Sequence, residues 1–323
     1  MATSQFTIYR STDGSAPVLT GNAGSLVAVL DGCLVTGYGS KAAPSPAWTH
    51  PVATASNIAS YKQGSGSLLG LVVNDNAPNA TSLGKEAWAT GWESVAGVGS
   101  PVGSGTNQFP TAAQLLTSGH TVIRKSNATG ATPIAWMLVA DSYTFYLFTF
   151  TTDVVNTYYF FAFGDIYSAK TTSDAYKVII MGRNLENDTT AAAEGGDLFS
   201  AYNAAVVGNF MARTFGGTGT SITIGKSGDS IKGSATSFLG TGEYPNGPDS
   251  EMYISPIWVT ELTPRIRGRL RGLYMPLHAI SNFTDGQTFT ASGDYSGKTF
   301  LAVKQTRNAG VILIDTSATV ETN

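Results

Sequence analysis

From Thr132 to Arg183 the chain reads TPIAWMLVADSYTFYLFTFTTDVVNTYYFFAFGDIYSAKTTSDAYKVIIMGR, its densest apolar patterning. Trp136, Leu138 and Ala140 alternate with Met137 and Val139. Beyond Asp141-Ser142, Phe145, Leu147 and Thr149 alternate with Tyr146, Phe148 and Phe150. Period 2 among aromatic and β-branched residues, broken by short polar turns, predicts adjacent antiparallel strands. Both faces are apolar, so both must be covered by other parts of the protein. Each Phe- or Leu-sized side chain buried there stabilises by about 1.5–3 kcal/mol, which makes this block the expected core.

The rest of the chain suits the same class. At 323 residues it is long enough for one large β domain or two smaller ones. Charged residues make up 13%, about half the usual ~25%, and 37 glycines supply turns between short strands. A surface short of charge also suits coverage by identical neighbours. The expected class is mainly β, antiparallel sandwich- or barrel-like sheets with one or two short helices. The expected layout is an N-terminal arm with a short helix over 1–50, a β domain with an aromatic core over 51–185, and a second β region over 186–323. That second region is either separate or packed on the first as one unit.

Along the chain, Phe6 and Ile8 mark a short strand and Asp13-Gly14 a turn. Leu26, Leu30 and Leu34 recur at helical spacing within GSLVAVLDGCL, which predicts one amphipathic helix of about three turns ending near Gly37 or Gly39. Lys41 to Pro51 reads as an extended linker. Ile58–Lys62 and Leu68–Asn74 read as a hairpin, and Glu86–Val95 as a strand, with a helix the rival reading that Gly91 disfavours; Gly97–Asn107 reads as a flexible loop. Pro110 to Thr117 reads as a second short helix, proline at its start and Gly119 after its end. A strand at Thr121–Lys125 leads into the core block. Leu185–Gly196 is the clearest polar break, and Ala201–Phe215 fits helix or strand. Strands are expected at Thr220–Ile224, Ser230–Ser234, Met252–Val259, Gly268–Tyr274, Thr299–Lys304 and Val311–Asp315.

Residue chemistry argues for no catalytic, cofactor or metal site. His50, His120 and His278 are far apart and lack metal-ligand spacing. Walker A, G-x-S-x-G and H-E-x-x-H motifs are missing. Asp75, Asp141, Asp153 and Asp165 sit at expected strand ends, where Asp favours turns; a Ca²⁺ site is the weaker reading. Cys33 reads as a small buried hydrophobe. The net charge of −3 does not favour nucleic acid. The start, MATSQFTIYRSTDG, has no basic region before an apolar run, so no secretory signal is expected. The N-x-S/T sequons at Asn79, Asn127, Asn187 and Asn282 then read as chance. With no apolar run of ~18 residues, no membrane helix is expected either.

One charge pattern stands out: Arg265, Arg267, Arg269 and Arg271. On a regular strand these four share one face. They are the candidates for subunit contact, at least two of them pairing with carboxylates within the chain or across a contact. A solvated face is the equally weighted plain reading. Phosphate or nucleic acid is the weaker one, since no aromatic residues for base stacking interleave with the ridge.

Four blocks carry a family resemblance: APVLTGNAGSLVAVLDGCLVTGYGSKAA (Ala16 to Ala43), FGDIYS with DAYKVIIMGR (Phe163 to Arg183), PIWVTELTPRIRGRLRGLYMPLH (Pro256 to His278) and GKTFLAV (Gly297 to Val303). In these the chain resembles a family of tailed-bacteriophage virion structural proteins. The resemblance implies a non-enzymatic virion subunit, tail or head-to-tail associated and assembling as a symmetric oligomer. Its partners would be copies of itself and other virion proteins, with no cofactor. The alternatives are a capsid decoration protein, or a β module on the particle surface that binds a host glycan or receptor. For a glycan, Trp48, Trp88, Trp92 and Tyr61 are the aromatic candidates.

Overall fold

The computed structural model describes residues 5–151, 158–170, 172–186, 207–226, 254–261, 265–276, 283–305 and 310–317. Expected features at Asp153, Asn187, most of Leu185–Gly196, Ser230–Ser234, His278 and Asn282 lie outside these residues.

The first half supplies β1 (Thr7–Arg10), α1 (Ser25–Leu30), β2 (Ile58–Lys62), β3 (Gly70–Asn74), β4 (Glu86–Gly97), β5 (Ser104–Phe109), β6 (Thr121–Arg124), β7 (Ala135–Ala140) and β8 (Thr144–Phe150). The second half supplies β9 (Tyr159–Asp165), β10 (Tyr167–Ser168), β11 (Val178–Arg183), β12 (Val207–Arg213) and β13 (Thr220–Lys226). It continues with β14 (Ile254–Glu261), β15 (Arg265–Pro276), β16 (Thr288–Thr290), β17 (Thr299–Gln305) and β18 (Gly310–Asp315). The strand pairings are antiparallel, so the fold is mainly β, as the alternation predicts.

Strands β1, β7, β8, β9, β11 and β12 pair in that order. The β2–β3–β4 meander joins them through β6, which bridges β4 to the end of β11 at Val122–Arg183. Strand β13 changes sheets midway: Thr220, Ile222 and Thr223 pair with β12, whereas Ile224 to Lys226 pair with β14. From there β14, β15, β18, β17 and β16 form a second sheet.

The central strands are covered on both faces. Trp136, Leu138, Phe145, Leu147, Phe161 and Phe163 point into one core, with α1 and the β2–β3–β4 residues. Their neighbours Met137, Val139, Tyr146, Phe148, Phe160 and Ala162 point into another, shared with Leu270, Leu273, Leu301 and Ile314 of the second sheet. Residues from both expected β regions therefore build one core between them.

Four local expectations are corrected. The stretch expected as an N-terminal arm is packed into the first core, with Leu26, Leu30, Cys33 and Leu34 fully buried. Within it the helix is α-helical only to Leu30 and continues as a π-helical turn over Asp31–Thr36, ended by Gly37 at φ 77. The Lys41–Pro51 linker carries Trp48, which is fully buried and donates from Nε1 to Asp141 O at 2.8 Å. An Ala- and Pro-rich flank hides such an anchor from composition-based reading. Thr111–Leu116 forms a single turn, not a helix: Gln114 and Leu115 N–H donate to Thr111 O, and Leu116 then takes φ 50. The Gly97–Asn107 loop ends in β5, which pairs along β4. Among the described residues no helix is long and apolar enough to cross a membrane.

Candidate functional site

The arginine strand is β15, and the structure splits its four arginines. Two register shifts against β14 interrupt the alternation that would have put them on one face. Gly272 adds a third break at φ 61, where a Cβ would lie 2.4 Å from the Phe6 ring, so only glycine fits. Arg265 is exposed, Arg269 half-buried, and Arg267 and Arg271 are buried.

Each buried arginine has a carboxylate within the chain. Arg267 Nη1 meets Asp174 and donates to Ser168 Oγ at 2.9 Å, and its Nε lies 3.5 Å from Glu261. Burial would raise the Asp174 pKa, but the hydrogen bonds from Arg267 and Ser168 outweigh it and hold the carboxyl below its usual range. Arg271 donates to Asp141 Oδ2 at 2.8 Å, and its guanidinium lies over the rings of Tyr143 and Tyr167. Burial would lower the Arg271 pKa; Asp141 more than offsets this. Arg269 lies over the Tyr167 ring at 5.2 Å. Two of the four thus pair with carboxylates inside one subunit. The exposed apolar side chains on this strand pair are Ile266 and Trp258, 56% and 36% exposed.

The aspartates at strand ends hold the fold together. Asp75 accepts from the N–H groups of Leu26 (2.7 Å) and Val27 at the start of α1, and its other oxygen meets Lys125 Nζ. Asp75 and Lys125 are both fully buried. Burial raises the Asp75 pKa and lowers that of Lys125, each against their mutual attraction. Asp141 accepts from Tyr143 and Thr144 N–H, and Asp165 from Gln63 Nε2 and Ser67 N–H. No cluster of three potential metal ligands occurs among the described residues.

His120 is buried, stacked on Trp88 at 3.9 Å, with Nε2 3.0 Å from Glu186 Oε1. Burial lowers its pKa to about 4, so it is neutral at pH 7. The aromatic residues named for a glycan are all buried: Trp48 and Tyr61 fully, Trp92 and Trp88 at 7% and 9% exposed. Their polarity is turned inward, Trp92 Nε1 to Val102 O and Tyr61 Oη to Asp31. They offer no exposed stacking platform.

A groove that the sequence did not point to opens where the two sheets part beyond the second core. Arg10, Ser11 and Thr12, with Met137 and Phe150, line one side. Asp285, Gly286, Leu301 and Val303 line the other. The free volume is about 220 Å³, and it is open to solvent. Its residues come from positions as far apart as 10 and 303, so no local motif could have marked it.

No family model matches the chain, and no curated protein matches it.

Proposed function

We propose that the protein is a non-enzymatic structural subunit of a tailed-bacteriophage virion, tail or head-to-tail associated and assembling as a symmetric oligomer. The four resembling blocks support this reading. The observation that carries it structurally is how the charge is disposed. Lys125, Arg124, Arg267 and Arg271 are buried against Asp75, Glu86, Asp174 and Asp141 in the same chain. Such pairs neutralise each charge internally. The outer face of β14–β15 is left with Ile266 and Trp258, and Arg265, the residue before Ile266, is exposed at the start of the strand. Apolar side chains with a flanking arginine are the composition of an interface centre. A subunit contact there uses Ile266 and Trp258, while Arg267 and Arg271 hold the subunit itself.

Electron microscopy of purified particles carrying a labelled subunit tests the reading. The expected result is a label at symmetric positions on the tail or its junction with the head. Label spread over the capsid surface would favour the decoration alternative, and particles without label would sink both. In the same particles, Ile266→Asp is expected to reduce incorporation while the isolated chain still folds.

A further inference from the structure

The groove between the sheets contains a cation without a partner among the described residues. Pairing of Arg10 with Met137 fixes its backbone, and the Arg10 N–H donates to Asp13 Oδ2 at 2.7 Å. Its guanidinium makes no hydrogen bond, ion pair or ring contact with the described residues. The acids near it are already engaged. Asp13 takes the Tyr38 hydroxyl at 2.9 Å and lies 3.9 Å from Lys41 Nζ. In Asp285, Oδ1 accepts the Lys304 N–H at 2.9 Å, and the other oxygen takes the Tyr158 hydroxyl. An arginine has five N–H donors in a planar fork matched to a carboxylate, and no described residue takes any of the five.

The surroundings narrow the occupant. Met137, Phe150, Leu301 and Val303 make apolar walls, so a bound group must be apolar beside its charge. Asp285 in the same groove repels a polyanion, which disfavours phosphate chains and nucleic acid. The volume of about 220 Å³ is below the ~300–1,000 Å³ usual for enclosed small-molecule pockets. It suits one bulky side chain, and an open groove lets a main chain pass along it. We infer that the groove docks a segment of another polypeptide presenting an Asp or Glu next to one large apolar residue, with the carboxylate on Arg10. This holds whether or not the protein is a virion subunit.

The test uses the full chain with ¹³C-methyl methionine, because Met137 lines the groove and reports on it by NMR. The probes are the blocked dipeptides acetyl-Leu-Glu-amide and acetyl-Leu-Gln-amide, with butyrate as a small carboxylate. The Glu peptide is expected to shift the Met137 methyl saturably and to bind about ten-fold more tightly than the Gln peptide, the size of one charge-assisted pair. Arg10→Gln should abolish that preference, and Asp285→Asn should keep or increase it. Since the Arg10 side chain has no partner among the described residues, Arg10→Gln should unfold at the wild-type denaturant midpoint. Equal binding of the two peptides to the wild type would overturn the inference, as would a preference that survives Arg10→Gln. Butyrate binding as tightly as the Glu peptide would show a small-molecule site instead. No Met137 shift with any probe up to ~10 mM, the weak end of specific recognition, would also overturn it.

Discussion

The two cores share the same central strands but are closed in different ways. On one face a short helix is laid against the sheet and fastened by buried polar groups: Asp75 on the α1 N–H groups, Lys125 on Asp75, Trp48 on Asp141. On the other face a second sheet is laid against the first, and the arginine pairs of β15 lie around its margin. Twisted sheets diverge away from their centre of contact. The groove at Arg10 lies where they do. A helix end can be sealed by a single carboxylate, whereas two parting sheets leave a gap. The first core is therefore the better sealed, and the second is the one that leaves an open groove.

The largest effect should come from breaking the seal of the first core. Asp75→Ala leaves Lys125 buried without a counter-charge and the first turn of α1 without its acceptor. Urea unfolding should show a loss of about 3–5 kcal/mol. A loss below ~1 kcal/mol would mean that the pair contributes nothing net. On the second sheet the effect should divide within one strand. Arg267→Ala strands Asp174 and Glu261 and should cost about 2–4 kcal/mol, whereas exposed Arg265→Ala should stay within about 0.5 kcal/mol. Similar losses for both would contradict the split between buried and exposed arginines.

That division was only partly legible from sequence. Alternation in the Trp136–Phe150 block gave the strands, their two buried faces and thus the layered architecture, because side-chain period 2 is a local property. The arginine ridge shows the limit of the same reasoning. Its spacing is regular, but bulges and the φ of Gly272 are set by β14 and Phe6, residues distant in sequence. Trp48 was hidden for a similar reason: its partner Asp141 lies 93 positions away. Thr111–Leu116 has helix-like ends, yet its side chains and Leu116 settle into a turn. The groove depends on two sheets parting, which no local pattern encodes.

A further expected effect concerns pH and the first sheet system. His120 has a folded pKa of about 4 against an ordinary value near 6.5. Between these the unfolded chain binds the proton and the folded one does not. Stability from this residue is therefore full above pH 6.5 and is lost as pH falls towards 4, by at most about 3 kcal/mol. Glu186 acts in the opposite sense: burial, then the charge of Glu86, raises its pKa. Denaturant midpoints for wild type and His120→Gln across pH 7 to 4 isolate the histidine. The two should converge as pH falls, and parallel curves would show that His120 does not titrate in this range.

The fastening of α1 also sets the order in which the chain can be completed. Strand β1 pairs with residues 137–140, Leu19 bridges to Ile134, and the start of α1 is held by Asp75 and, through it, Lys125. The residues before Pro51 thus have no complete set of partners until synthesis has passed Ala140. Pairings this distant in sequence carry a large loop-closure cost before they stabilise anything. During synthesis, Leu26, Leu30 and Leu34 must therefore wait as an unburied apolar stripe, which makes this segment one that needs protection until its partners have been made.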